Sequence, residues 1–229
     1  MFEDLPFRFS GLGPLLLSIK LGAVTTLLLL LVGTPLALWL ARTRSRLRVP
    51  IEAMVALPLV LPPTVLGFYL LVLLGPAGAI GSWWLELTDS ALVFSFGGLV
   101  IASMVYSLPF VVQPIQNAFE ASGTRLQEAA ATLGAGRFDI FFTVTVPLAA
   151  RGFLTALIMG FAHTLGEFGV VLMVGGNIPG ETRVISIAIY DHVESLNYEA
   201  AHITSAILVA FSFVVMLTLY TINRRWRHE

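Results

Sequence analysis

LGAVTTLLLLLVGTPLALWLA, residues 21–41, lies between Lys20 and Arg42 and holds no charged side chain in 21 positions. At 1.5 Å per residue such a helix is ~30 Å long, the thickness of a bilayer's hydrocarbon core. The pattern recurs down the chain. Between Glu52 and Glu86 lie 33 uncharged residues, between Asp89 and Glu120 there are 30, and between Glu199 and Arg224 there are 24. A further apolar stretch runs from Pro147 to about Gly175, interrupted by Arg151 and Glu167. Composition agrees with a lipid environment. Of 229 residues, 57% are hydrophobic and 12% charged, and the mean hydropathy is +0.87, against roughly 25% charged in ordinary soluble domains. The sequence therefore reads as an all-α integral membrane protein with five spans, about residues 16–41, 52–74, 91–114, 148–174 and 201–222. The apolar piece at residues 184–190 is too short to cross and is expected as an interfacial or re-entrant helix.

Orientation follows from the basic residues. Arg42, Arg44, Arg46 and Arg48 sit between spans one and two, Arg125, Arg137 and Arg151 between or beside spans three and four, and Arg224, Arg225 and Arg227 after span five. Five crossings put these ten on one side, out of 13 Lys and Arg in all; Arg8, Lys20 and Arg183 are the rest. The positive-inside rule makes that side cytoplasmic, with the N-terminus outside and the C-terminus inside. Residues 1–15 are then an extracytoplasmic segment and 223–229 a cytoplasmic tail. Trp83 and Trp84 fall in an outer loop, where an interfacial aromatic belt belongs. Met1, Phe2, Glu3 and Asp4 lack the positive start of a signal peptide, so the first apolar run is expected to be retained as a span. Net charge is −1 and there are 0 Cys, which argues against a nucleic-acid partner and excludes disulfides and thiolate metal sites. No metal site and no cofactor is expected.

The longest inside segment, residues 117–147, is patterned. Thr124 and Gln127 have the spacing of a capping box. Leu126, Ala129, Ala130 and Leu133 then recur at i, i+3, i+4 and i+7, one stripe of a helix. Gly134 and Gly136 end it, a second short helix carries Phe138, Phe141 and Phe142, and Pro147 suits the first turn of the next span. This helix-turn-helix is open to two readings: a surface helix that packs under the bundle, or a docking element.

The string Glu128-Ala129-Ala130-Ala131-Thr132-Leu133-Gly134, followed after nine residues by Val144-Thr145-Val146-Pro147, resembles the EAA loop of ABC importer permeases. That family's pattern is EAA, three residues, Gly, nine residues, then I-x-L-P; this chain departs by valine at the Ile and Leu positions. The resemblance implies a five-helix type I importer permease bundle in which Glu128, Ala129, Ala130, Leu133, Gly134 and Pro147 belong to a coupling loop that docks on a separate ATPase. The chain has no P-loop of its own, since its single lysine is Lys20, so it is read as a transport subunit and not an enzyme. The prolines of residues 57–63, the Leu165 to Gly169 string and the Gly176 to Arg183 loop are similar to molybdate permeases, with sulfate, thiosulfate and tungstate permeases sharing much of the pattern. That likeness implies import of an oxyanion across the bacterial inner membrane by alternating access. The partners it implies are a second copy of the chain, two ATPase subunits and an extracytoplasmic oxyanion-binding protein.

Individual residues carry further expectations. Pro58, Pro62 and Pro63 kink span two, as a hinge or gate or as a static kink. Gly166 and Glu167 are gate candidates, with Glu167 expected to brace structure by hydrogen bonding near Gly166 and Gly169. His163 reads as a satisfied core histidine. Ser103, Ser107 and Thr164 are pathway candidates, because no Lys or Arg lies centrally in any span and a conduit must release what it binds. Asn177, Pro179, Glu181 and Arg183 are candidates for binding-protein docking, with Arg183 expected to pair with Glu181. A secondary transporter is the rival class; it favours internal repeats, discontinuous helices and mid-membrane ionisable groups, and no repeat is visible between the halves.

Overall fold

The computed structural model describes residues 12–225; residues 1–11, which include Arg8, and residues 226–229, which include Arg227, lie outside the described residues. The described elements are all helical. In chain order they are α1 (Leu12–Arg42), α2 (Arg48–Ala56) with a 3₁₀ turn at Leu57–Leu59, α3 (Pro63–Leu74), α4 (Ala79–Thr88), α5 (Phe96–Ser122), α6 (Arg125–Thr132), α7 (Arg137–Ile140) with a π-helical stretch at Phe141–Thr145, α8 (Val146–Leu148), α9 (Ala150–Gly166), α10 (Gly169–Gly175), α11 (Ile185–Glu194) and α12 (Tyr198–Arg225).

The long uncharged runs become the long helices because a helix satisfies every backbone group internally, which lipid requires. α1 has 31 residues, ~46 Å at the helical rise, so it overshoots the hydrocarbon core at one or both ends. α1, α5 and α9 pack mutually. Their shared core is Leu29, Ala37 and Leu40 from α1, Val111, Val112 and Ile115 from α5, and Ala156 from α9. Small residues let the backbones approach, as membrane helix contacts need. A Cβ on Gly152 of α9 would lie 2.4 Å from Ala118 Cβ and 2.8 Å from the Pro114 carbonyl oxygen of α5. A second cluster joins α3 and α10 to α5 through Leu70, Leu74, Ala102, Val170 and Val174. α12 touches α11 and α9 and leaves most of its apolar surface, including Val209, Phe213 and Leu217, exposed. In water that face would be costly; against lipid it is the expected solvent face.

Several expectations need correction. Three helices are long and apolar enough to cross a membrane, at Leu12–Arg42, Phe96–Ser122 and Tyr198–Thr218; five are reached by counting two bent pairs as crossings. Span two is broken, not kinked: Arg48–Leu59 meets Pro63–Leu74 at 111°. Pro62 is extended at ψ 136° and Pro63 opens α3, since a residue before proline is driven out of the helical region and proline suits a first turn. The expected span at 148–174 is likewise two pieces, with Glu167 extended at ψ 137° as the cap of α9 and α10 starting at Gly169. Conversely, α5 runs through Pro109 and Pro114 to Ser122, so the first residues of the segment 117–147 are helical and continuous with span three. The connection after α3, expected as a loop, contains α4; Trp84 packs from it on the second cluster while Trp83 is exposed. The expected short helix at 184–190 is α11, ten residues with Ile185, Ile187 and Ala188 buried.

Candidate functional site

The segment from α6 to α8 projects from one end of the bundle. α6 stops because Gly134 is left-handed at φ 88°. The Ala135 N–H then donates to the Ala130 carbonyl at 3.1 Å and the Gly134 N–H to the Ala131 carbonyl at 3.0 Å, a Schellman-type end that only glycine adopts without strain. Nothing lies within 4 Å of where a Gly134 Cβ would be. Glu128, Ala129 and Gly134 are exposed, Ala130 is half-buried, and Pro147 is exposed in the first turn of α8. Leu133 is 88% and Phe138 83% exposed. The apolar stripe thus faces away from the bundle, against the reading in which it packs underneath. Phe142 is exposed with it, while Phe141 turns inward onto the main core.

The capping box is not formed: Thr124 makes no side-chain cap bond. Gln127 is buried, and its Oε1 accepts from Arg42 Nη2 at 2.6 Å. That charge-assisted bond ties α6 to the end of α1 and outcompetes a local cap. Beside it, Arg48 bonds Glu52 at 2.8 Å and Glu120 at 2.6 Å, and Gln116 Nε2 donates to Glu52 at 2.7 Å. This network joins α2 to α5. The arginines of this end were legible only as a topology signal; their partners were not.

A second constellation lies where the two helix breaks meet. Gly169 sits so close to Pro63 that a Cβ there would be 2.8 Å from Pro63 Cβ. The breaks border a cavity of about 540 Å³ lined by Pro63, Thr64, Tyr106, Ala162, His163, Gly166, Glu167, Phe168 and Gly169. Ser103, Tyr106 and Ser107 fall at i, i+3 and i+4 of α5, one face of that helix, while His163 and Thr164 lie in the last turn of α9 and Glu167 follows as its extended cap. Ser107 Oγ bonds His163 Nδ1 at 2.9 Å and Thr164 Oγ1 at 3.0 Å, and the Thr164 hydroxyl donates to the Gly160 carbonyl at 2.9 Å. The His163 ring stacks on Phe110 with centroids 3.9 Å apart. His163 is therefore satisfied, as expected. Ser107 and Thr164 bond to each other between α5 and α9, and Ser103, buried on α5, has no hydrogen-bond partner.

Glu167 departs from expectation. It is 4% exposed, and neither carboxylate oxygen has a hydrogen-bond partner. The Ser103 hydroxyl neighbours it without closing a well-formed bond. Bracing comes instead from its backbone, where the carbonyl accepts from Ser186 Oγ of α11 at 2.6 Å.

At the other end of the bundle, Asn177, Pro179 and Glu181 are exposed. Arg183 pairs with Asp191 at 3.6 Å and donates to Asn177 Oδ1 at 2.6 Å, not with Glu181 as expected. Thr182, buried, accepts from the Ile178 N–H at 3.1 Å and donates to the Gly175 carbonyl at 2.7 Å. Ser18 Oγ of α1 accepts from the Ile185 N–H at 2.8 Å. The loop is thus pinned to helices on both sides. Thr64 and Tyr106 escaped the sequence reading, because a lone polar residue in an apolar run carries no periodic signal.

Comparison with known proteins gives three kinds of match. The family described as "Binding-protein-dependent transport system inner membrane component" matches residues 33–228. The molybdenum transport system permease protein ModB of Azotobacter vinelandii is 59% identical over 220 residues, covering 96% of this chain and 97% of that protein. ModB of Escherichia coli K12 is 37% identical over 213 residues, covering 91% and 93%. Among solved structures, a bacterial ABC transporter involved in import of the acidic polysaccharide alginate superposes with a TM-score of 0.76 at 17% identity, covering 93% of this chain and 78% of that one.

Proposed function

The chain belongs to the family of binding-protein-dependent transport system inner membrane components, and from that premise we propose that it is the membrane-spanning permease of an ATP-driven molybdate importer. It is an all-helical inner-membrane protein, and its relatives across nearly the full length are molybdenum permeases. The substrate assignment rests on that kinship, with 59% identity to one such permease.

The coupling role rests on one observation: the EAA-type hairpin presents Leu133 and Phe138 outward, with Gly134 at an open left-handed turn. Exposed leucine and phenylalanine beyond the end of a membrane bundle need a partner surface. An ATPase subunit is that partner. The Arg42–Gln127 bond and the Arg48 network transmit its movement to α1, α2 and α5. Two copies of the chain, two ATPases and a binding protein make the working unit. Loaded binding protein docks on the loop carrying Asn177, Pro179, Glu181 and Arg183, ATP draws the two hairpins together, and the two bundles swing between inward- and outward-facing states. In this arrangement the chain crosses five times, within residues 16–222, with residues 1–15 outside and 223–229 inside. Pro58, Pro62 and Pro63 with Gly166 and Glu167 form the flexible joints, since both breaks lie at those residues.

The sequence has 0 Cys, so single-cysteine variants give an unambiguous test. Leu133→Cys should react with a membrane-impermeant maleimide only from the cytoplasmic side and become protected when the ATPase is co-assembled. Asn177→Cys should react only from outside. Labelling of Leu133→Cys from outside, or labelling indifferent to the ATPase, would overturn the coupling assignment.

A further inference from the structure

A cavity of about 1170 Å³ opens between the C-terminal half of α1 and the segment that leads from α7 into α9. Its α1 wall is Leu30, Leu31, Pro35 and Leu38, ending at Arg42. Leu31 is the middle residue of the uncharged run 21–41. From Leu31 to Arg42 is about 17 Å along the helix, close to half of a ~30 Å hydrocarbon core, so the cavity is one leaflet deep. Phe141, Phe142 and Phe153 form the facing wall, and Leu31 and Phe142, 72% and 65% exposed, leave it open at the side. The lining changes character at the mouth. Arg42, at the end of α1, and Arg137, opening α7, stand there, both exposed. Arg42 spends one of its donors on Gln127, and Arg137 has no ion pair or side-chain hydrogen bond among the described residues. Glu128 is the one acid in the lining, so guanidiniums outnumber carboxylates. Arg44 and Arg46, exposed in the turn after α1, add positive charge to the same end.

We infer that this cavity holds an anionic phospholipid of the cytoplasmic leaflet, its phosphate between Arg42 and Arg137 and an acyl chain along Leu38, Pro35 and Leu31. The wall selects that occupant. It is apolar for the depth of one leaflet and then presents two arginines, whose planar donors suit a phosphate, at the level where headgroups lie. A water-soluble ATPase cannot fill the groove, because its deep end lies in the middle of the hydrocarbon core. A free anion would satisfy the mouth and leave the apolar depth unused, and a zwitterionic lipid would bring a cation of its own to the two arginines. The lipid bridges α1 to the hairpin beside the Arg42–Gln127 bond. The inference goes beyond the transport reading: it requires that this end of the bundle face the cytoplasm, and it requires no particular substrate.

The test uses the chain assembled with its ATPase in phosphatidylcholine bilayers. The chain has 0 Cys, so a fluorophore attached at Leu31→Cys before the ATPase is added reports from the groove alone. Brominated phosphatidylglycerol, as a minor component, should quench it more strongly than the same fraction of brominated phosphatidylcholine, through a local enrichment of about fivefold or more, the attraction of one or two arginines near a membrane surface. Arg137→Gln should remove most of that preference. Arg125→Gln, which takes a charge from the same hairpin outside the lining, should keep it. Equal quenching by the two lipids overturns the inference, and so does a preference that both substitutions reduce alike, which would be diffuse surface charge. Quenching by neither lipid would mean that protein, a second copy or the ATPase, fills the groove, and overturns it too. A preference abolished by inorganic phosphate but not by chloride at equal ionic strength would reassign the mouth to a free anion. If the labelled variant does not assemble, lipid co-purifying with the unlabelled complex decides: phosphatidylglycerol should stay with the wild type and Arg125→Gln and be lost from Arg137→Gln, and equal retention in all three overturns the inference. Labelling of Leu133→Cys from outside would invert the orientation, a failure distinguishable from every result above.

Discussion

Replacing Gly134 by alanine isolates the turn of the hairpin from everything else. The residue sits at φ 88° with nothing within 4 Å of a built Cβ, so alanine meets no atom and introduces no charge. The cost is backbone strain alone, about 1–2 kcal/mol for an L-residue held left-handed. A strain of that size lowers the ratio of native to alternative turn by roughly 5–30-fold, and ATP-driven uptake should fall by up to that factor. The bundle should not notice, because the hairpin's outer face is exposed. Gly136 is the internal control: it is extended at φ −71° with an equally open Cβ position, so Gly136→Ala should transport nearly as well as wild type. The assay is molybdate uptake by both variants, with thermal melting of the purified assemblies alongside. Equal uptake in the two variants would refute the reasoning. A melting temperature that falls only in Gly134→Ala would refute it as well, by relocating the defect to folding.

Four other substitutions test parts of the structure. Ser18→Ala removes the acceptor of the buried Ile185 N–H, 2.8 Å away, and should destabilise the protein by about 1–3 kcal/mol; an unchanged melting temperature would deny that this bond anchors α11. Gly152→Leu forces a side chain against Ala118 and the Pro114 carbonyl, already 2.4 and 2.8 Å from a bare Cβ; it should cost about 3 kcal/mol or more by overpacking and abolish stable insertion, read as loss of detergent-extracted monodisperse protein. Arg183→Ala should loosen the outer loop, read as faster amide exchange across residues 177–184, whereas Glu181→Ala should not. The reverse order would restore the Arg183–Glu181 pairing in place of the observed contacts to Asp191 and Asn177.

Charge-free length and basic asymmetry made the membrane class legible, because lipid imposes a crude and uniform constraint on every span. The hairpin was legible as a turn because Gly134 and Gly136 break the helix locally, whereas its docking role is what the resemblance of Glu128 to Pro147 to the EAA loop implies. What the sequence hid was tertiary. Pro62 and Pro63 announce a perturbation, but kink and break differ only in what packs opposite, here Gly169 and α10. Glu167 looked like a mid-helix carboxyl because its neighbours are apolar at helical spacing; the extended backbone that releases it needs the contact of the two breaks. Those discontinuities had been assigned to the rival secondary-transporter class, and their presence in this fold means that broken helices do not by themselves separate the two. Gln127 was expected to cap its own helix, yet Arg42, 85 residues away in sequence, competes for it successfully. Ser107 and Thr164, expected along the pathway, bond to each other between α5 and α9, and Ser103 is buried on α5 without a hydrogen-bond partner.

The central claim is that this permease moves molybdate only when an ATPase drives its hairpin. It is tested most directly by molybdate uptake in bacterial cells lacking their own molybdate permease, supplied with this chain, its ATPase and its binding protein, with and without excess sulfate. The account predicts saturable uptake that sulfate does not compete, that vanishes when the ATPase is withheld, and that Gly134→Asp abolishes. Sulfate uptake without molybdate uptake would contradict the substrate, and molybdate uptake that persists without the ATPase would contradict the mechanism.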